Sequence, residues 1–126
     1  MIFTIAVLGG PQDTQANLHA LTFARSVIES GHRINRVFFY HEGVSVALKT
    51  IETPPGEFNY GKAWTDFSLK TNIELAVCVA SGSRRGITGD QSDDSSSNLA
   101  ENFELVGLGQ LVEAISNSDR YVEFAL

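Results

Sequence analysis

Ile2-Phe3-Thr4-Ile5-Ala6-Val7-Leu8-Gly9-Gly10-Pro11, with the segment that follows it to Tyr40, decides the fold class. Ile2 to Leu8 is a short, continuous run rich in β-branched residues, and Gly9-Gly10-Pro11 ends it. An apolar run without polar alternation reads as a strand buried on both faces, as in a parallel sheet. Thr14 stands where a helix cap is expected, and Ala16, Ala20, Phe23, Ala24, Val27 and Ile28 then recur at helical spacing. Gly31 occupies the place of a glycine just past a helix end. Ile34 to Tyr40 is the next strand, again apolar in its second half. The stretch therefore makes one βαβ unit.

The pattern continues outward. His41 to Lys49 holds a short helix with Val44, Ala47 and Leu48 on one face, and Pro54-Pro55-Gly56 breaks the chain. Tyr60 to Lys70 reads as a helix that turns Ala63, Trp64 and Phe67 inward. Glu74 to Ala80 is a third buried strand. Ser81 to Ser97 is rich in Ser, Gly and Asp and reads as one long loop, a length usually tied to function or mobility. Phe103 to Val106 is a short fourth strand, Gly107-Leu108-Gly109 opens a helix carrying Leu111, Val112 and Ile115, and Tyr121 to Phe124 is the last strand. Alternating strands and helices predict an α/β fold of three layers: a mostly parallel sheet of about five strands with helices on both faces. With no repeat or linker, residues 1–126 read as a single domain.

Composition agrees. The chain has 126 residues, 43% of them hydrophobic and 19% charged, which is the balance of a globular domain. Fifteen acidic against nine basic residues give a net charge of −6, which argues against direct, non-specific nucleic-acid binding. No apolar run reaches the length of a membrane span, and Met1 to Gly10 has no preceding positive region or cleavage site. The expected setting is cytoplasmic. One cysteine excludes an internal disulfide and any CxxC redox or zinc motif.

In open parallel sheets, reactive groups gather beyond the carboxyl ends of the strands. Gly9-Gly10-Pro11, Tyr40-His41-Glu42, Cys78 and Gly107-Leu108-Gly109 all fall there. Cys78 has two readings. Near Arg84 and Arg85, and beside turn N–H groups, its thiolate would be favoured. As a free cysteine between Val77 and Val79 it is also a small buried hydrophobe, and composition alone favours this second reading. Arg84-Arg85 is equally a solvated pair or an anion clamp that doubles as a docking patch for an acidic partner. His41 could reach the site as a base, although solvent exposure is its more ordinary role; His19 and His32 read as surface residues. Gly9-Gly10 matches neither GxGxxG nor GxxxxGK[ST], so it reads as a plain βα turn. Serine hydrolysis lacks a GxSxG elbow, and scattered histidines offer no metal spacing.

Val37-Phe38-Phe39-Tyr40-His41-Glu42-Gly43-Val44, Cys78-Val79-Ala80 followed by Arg84-Arg85-Gly86, Ser97-Asn98-Leu99 and Gly107-Leu108-Gly109-Gln110-Leu111 together resemble the DsrE/TusD sulfurtransferases over nearly the whole chain. The opening Gly10-Pro11 with Thr14-Gln15 leans toward the TusD branch. The resemblance implies a flavodoxin-like subunit of a heterohexamer of the TusBCD or DsrEFH type. It places the family's reactive cysteine on Cys78, which would receive sulfur as a persulfide from a TusA-like donor and pass it to a TusE- or DsrC-like acceptor. The relay would end in 2-thiolation of the tRNA wobble uridine in the TusD case, or serve dissimilatory sulfur oxidation in the DsrE case. Thr88 to Ser96 departs from the family pattern in being richer in Asp and Ser.

The residues agree with such chemistry: persulfide transfer needs one nucleophilic thiolate, no cofactor and no resolving cysteine in the chain. Arg84 and Arg85 would then stabilise the thiolate or persulfide or dock the partner, with His41 as an accessory. Two competing readings stand beside the carrier. One is a scaffold subunit whose Cys78 only packs. The other, weaker, is a nucleotide- or flavin-binding module built on Gly9-Gly10.

Overall fold

The computed structural model describes residues 1–89 and 97–126. The chain runs β1 (Ile2–Val7), α1 (Ala16–Glu29), β2 (Arg33–Phe39), a 3-10 helix η1 (His41–Ala47), α2 (Tyr60–Thr71), β3 (Glu74–Cys78), α3 (Val79–Ser83), β4 (Phe103–Val106), α4 (Leu108–Ser116) and β5 (Arg120–Phe124). Among the described residues five strands form one sheet in the order β4-β3-β2-β1-β5. Each neighbouring pair is parallel. The expected parallel α/β architecture is the one observed.

Local chemistry explains the element ends. Thr14 does not cap α1: its hydroxyl donates to the Gly10 carbonyl at 2.9 Å and accepts from the Ala16 N–H at 3.2 Å, so it ties the preceding turn together. Gln15 takes the cap position without a side-chain hydrogen bond. Beyond Ser30, Gly31 adopts φ +83°, a conformation that costs a β-carbon-bearing residue energy. At α2, Asn59 Oδ1 accepts from the Lys62 N–H at 3.0 Å, and Asn72 closes the helix at φ 61°.

Residues paired across parallel strands share a face. Val7, Phe39 and Val77 line up on one face, and Ala6, Phe38 and Ala76 on the other. The first set meets α2: Phe39 lies edge-on to Trp64 with ring centroids 5.4 Å apart. The second set shares its face with Thr4, whose hydroxyl donates to the Ala114 carbonyl of α4 at 3.1 Å. Trp64, Phe38, Phe39, Val37 and Val77 are fully buried.

One expectation is corrected here. The Ser81–Ser97 segment is not loop throughout, because Val79–Ser83 forms α3. Tertiary packing overrides weak propensity there: Ser81 is buried, and a β-carbon on Gly82 would lie 3.4 Å from Ile87 Cβ and 3.6 Å from Leu105 Cδ2. Residues 90–96 of that segment lie outside the described residues. The helix carrying Leu111, Val112 and Ile115 forms, but Ala114 is its buried residue. Leu108, Val112 and Ile115 are 43%, 64% and 36% exposed, a stripe along one side of α4 that the fold leaves uncovered. Among the described residues, no helix is long and apolar enough to cross a membrane.

Candidate functional site around Cys78

The strand ends approach one another in part: the Gly43 N–H donates to the Leu8 carbonyl at 3.1 Å, and a β-carbon on Gly10 would lie 3.7 Å from Glu42, the partner of Arg85. Gly9 and Gly10 follow β1, where the chain's strand order reverses, and a doubly wound sheet often binds ligands at such a crevice. Here the crevice is closed. The Leu8 and Gly9 N–H groups both donate to the Phe124 carbonyl, at 2.8 and 3.4 Å, so they are not free for a phosphate. A β-carbon on Gly9 would overlap Thr14 Oγ1 and the Ala125 carbonyl. The glycine is there for close packing, and the nucleotide- or flavin-binding reading has no support from this turn.

Cys78 stands two strands away. It is the last residue of β3, pairs in register with Val106 of β4 and precedes α3. By alternation it follows Ala76 onto the face that carries α4. The thiol is free and only 1% exposed. With five residues, α3 is little more than one turn. It supplies almost no macrodipole, so any stabilisation of a thiolate falls to side chains.

Those side chains come from η1 and from the end of α3. His41 opens η1 in the left-handed region, φ 51°, which costs a non-glycine residue energy and so requires support. Its N–H donates to Ser81 Oγ at 3.2 Å. Arg85 Nη1 donates to the Ser81 carbonyl at 3.0 Å, and Nη2 pairs with Glu42 Oε1 at 2.7 Å. The remaining guanidinium donor, Nε, is buried without a hydrogen-bond partner. Glu42 is held below the ordinary carboxylate range, first by the Arg85 hydrogen bond and then by its charge. Arg85 is pushed above its usual value, first by the hydrogen bond to Glu42, against some desolvation, and further by the charges of Glu42 and Cys78.

Of the predicted residues, Arg85 and His41 are therefore brought to the Cys78 end of the sheet, but through different groups from those expected. Arg85 is bound to Glu42. His41 is exposed, engages the site through its backbone N–H, and stacks its ring on Tyr40 with centroids 4.1 Å apart. Arg84 is exposed at the end of α3. Sequence reasoning missed Glu42 and Ser81 as the connecting residues. Their partners are 43 and 40 positions away, so no local pattern signals them.

A cavity of about 450 Å³ opens elsewhere, between the segment 49–59 and the start of α2, lined in part by Leu48, Ile51, Phe58, Tyr60 and Lys62. None of the predicted site residues lines it. Among the described residues, no group of three or more His, Cys, Asp or Glu side chains converges as metal ligands.

Comparison with known proteins adds an independent line. The model of the DsrE/DsrF-like family matches residues 1–124. Sulfurtransferase TusD of Proteus mirabilis is 40% identical, covering 98% of both chains. The DsrE protein of Allochromatium vinosum is 35% identical, again over 98% of each. The crystal structure of the ychN protein from E. coli superposes with a TM-score of 0.77 at 19% identity, over 98% of this chain and 97% of that one, which shows a common fold.

Proposed function

The chain belongs to the DsrE/DsrF-like family, and on that premise we propose that it is a sulfur-relay protein carrying sulfur as a persulfide on Cys78. Its near-full-length identity to sulfurtransferases named TusD makes it a sulfurtransferase. The observation that carries the Cys78 assignment is the setting of this cysteine, at a strand's carboxyl end and directly before the segment whose Ser81 and Arg85 are tied to His41 and Glu42.

The transfer balances without a redox partner. The Cys78 thiolate attacks the outer sulfur of a donor persulfide; the new S–S bond forms as the donor's S–S bond breaks, and the donor leaves as a thiolate that takes up a proton. The acceptor's thiolate then attacks the outer sulfur on Cys78, and Cys78 leaves as thiolate in turn. Arg85 carries a buried, unpartnered Nε, a donor suited to a terminal sulfur anion. Arg84, exposed beside it, supplies positive charge for docking an acidic partner on a chain of net charge −6. His41 is at most an accessory.

The likeness to TusD favours a relay toward 2-thiolation of the tRNA wobble uridine, in the cytoplasm. The likeness to DsrE keeps dissimilatory sulfur oxidation as the alternative. Donor and acceptor would be TusA-like and TusE- or DsrC-like proteins, with sister subunits completing a heterohexamer of the TusBCD or DsrEFH type. The uncovered apolar stripe of α4 is the surface that suits such subunits. One observation favours a second reading: a thiol 1% exposed is what a non-catalytic scaffold subunit would contain.

The test is intact-mass measurement after incubation with a persulfide donor, on the chain alone and on the complex with its sister subunits. A gain of one sulfur atom, reversed by reductant and absent in Cys78→Ala, establishes the carrier. No gain in the complete complex leaves Cys78 as packing and favours the scaffold.

A further inference from the structure

We infer that the Glu42–Arg85 ion pair is a latch holding α3 against η1 over Cys78, so that Glu42, acting through Arg85, sets how often the thiol becomes accessible. The inference deepens the carrier reading and rests on it for its purpose, because a sulfur that passes between proteins must be reachable.

Three observations carry it. First, Cys78 is 1% exposed, whereas the next two residues, Val79 and Ala80, are exposed. Part of the segment that directly follows Cys78 therefore already faces water. Second, the polar links between η1 and the α3 segment all converge on Ser81 and Arg85. The His41 N–H reaches Ser81 Oγ, while Arg85 spans from the Ser81 carbonyl to Glu42. Third, α3 is short and lacks a side-chain cap, and Gly86 stands at φ +76° just past its end. A single uncapped turn has little stability of its own and owes its position to those tertiary links. His41, held in the left-handed region at φ 51°, gains an additional route to relax when they part.

The Glu42 side chain is 67% exposed and that of Arg85 26%, so the pair faces solvent on one side. It is weak enough to break at equilibrium and is open to competition from salt or from a partner's carboxylate. No similar exchange is available to a buried apolar cover.

The experiment measures the rate of Cys78 alkylation in the full chain, as wild type, Glu42→Gln, Arg85→Gln and the double variant. Rates are compared at the alkaline plateau of the pH–rate profile, where the thiol is fully ionised, so that differences report access and not ionisation. Either single substitution is expected to raise the plateau rate about two- to fivefold, the range an exposed ion pair supports. The double variant should be no faster than the faster single one. Added salt should accelerate the wild type and leave Glu42→Gln unaffected. Glu74→Gln, which removes the remote Arg36–Glu74 pair, is the control and should leave the rate unchanged. Urea midpoints establish that global unfolding is not the route. Unchanged or slower alkylation in Glu42→Gln, or additive effects in the double variant, overturns the latch. Sulfur loading is not read in this assay, so the carrier reading and the latch fail separately.

Discussion

Trp64 Nε1 donates to Asn17 Oδ1 at 2.9 Å, and both residues are completely buried. The bond joins α2 to α1, and Asn17 Nδ2 continues it to the Gly9 carbonyl at 3.3 Å. One amide thus connects both helices of a face to the first βα turn. A buried polar group left unpaired costs more than the bond itself contributes. Asn17→Ala should destabilise the chain by about 2–3 kcal/mol, read as a lower urea midpoint with an unchanged slope. Leu18→Ala, at a position 43% exposed, should stay within about 0.5 kcal/mol.

The glycines after β1 and in η1 differ in kind. A β-carbon on Gly43 would overlap the Val7 carbonyl, whereas on Gly10 it would meet nothing nearer than 3.7 Å. Gly43→Ala should therefore cost about 2–3 kcal/mol and loosen η1, while Gly10→Ala folds like the wild type. Thermal or urea unfolding of the pair checks this. A severe defect in Gly10→Ala would show that the turn has a role beyond connection.

Substitutions of Cys78 should separate packing from chemistry. The buried thiol behaves as a small hydrophobe, and a serine hydroxyl in its place carries a desolvation cost. Cys78→Ser should lose about 1–3 kcal/mol, and more than Cys78→Ala. Both should lose sulfur loading completely. The alanine variant is the cleaner control in the mass assay, and urea unfolding ranks the two.

Glu42 should titrate below the usual carboxylate value because Arg85 donates to and charges its surroundings. A carboxyl group depressed in the folded chain is stabilised above its unfolded pKa, and the benefit disappears as pH falls through the folded value. The charge attraction of the pair should therefore be present at neutral pH and be lost in acid, below pH 4.5. Carboxyl-carbon NMR should place the midpoint below 4.5 in the wild type and return it toward that value in Arg85→Gln.

Val112 is 64% exposed on α4, so Val112→Glu should leave the chain's own stability within about 0.5 kcal/mol. A charge in the apolar stripe should nevertheless prevent co-purification with sister subunits. Size-exclusion chromatography of co-expressed chains reads the outcome, and an intact complex would move the assembly surface away from α4.

The fold was legible because its signals are local. The unbroken apolar run from Ile2 to Leu8, the helical spacing from Ala16 to Ile28 and the glycine at 31 each act over a few residues. Misjudged elements depended on distant partners. Ser81 and Gly82 favour a turn by propensity, and their helical turn is supported by partners distant in sequence, His41 on Ser81 and Leu105 beside Gly82. On α4, helical spacing identified the residues carried by the helix without saying what faces them, and Val112 and Ile115 are exposed. At the site, Cys78, Arg85 and His41 were visible as chemistry-bearing residues, but burial and the Glu42 partnership arise from the register of β2 beside β3.

β1 takes one neighbour from residues 33–39 and the other from residues 120–124. The first is in place early in synthesis. The second cannot be laid down until residues 120–124 have left the ribosome. During translation the growing protein therefore holds an unpaired strand flank along Phe3 to Val7, the same flank on which Leu8 and Gly9 later meet the Phe124 carbonyl. A ribosome paused before residue 120 displays an unfinished sheet with that edge open to strand addition, and emergence of residues 120–124 is the event that seals it.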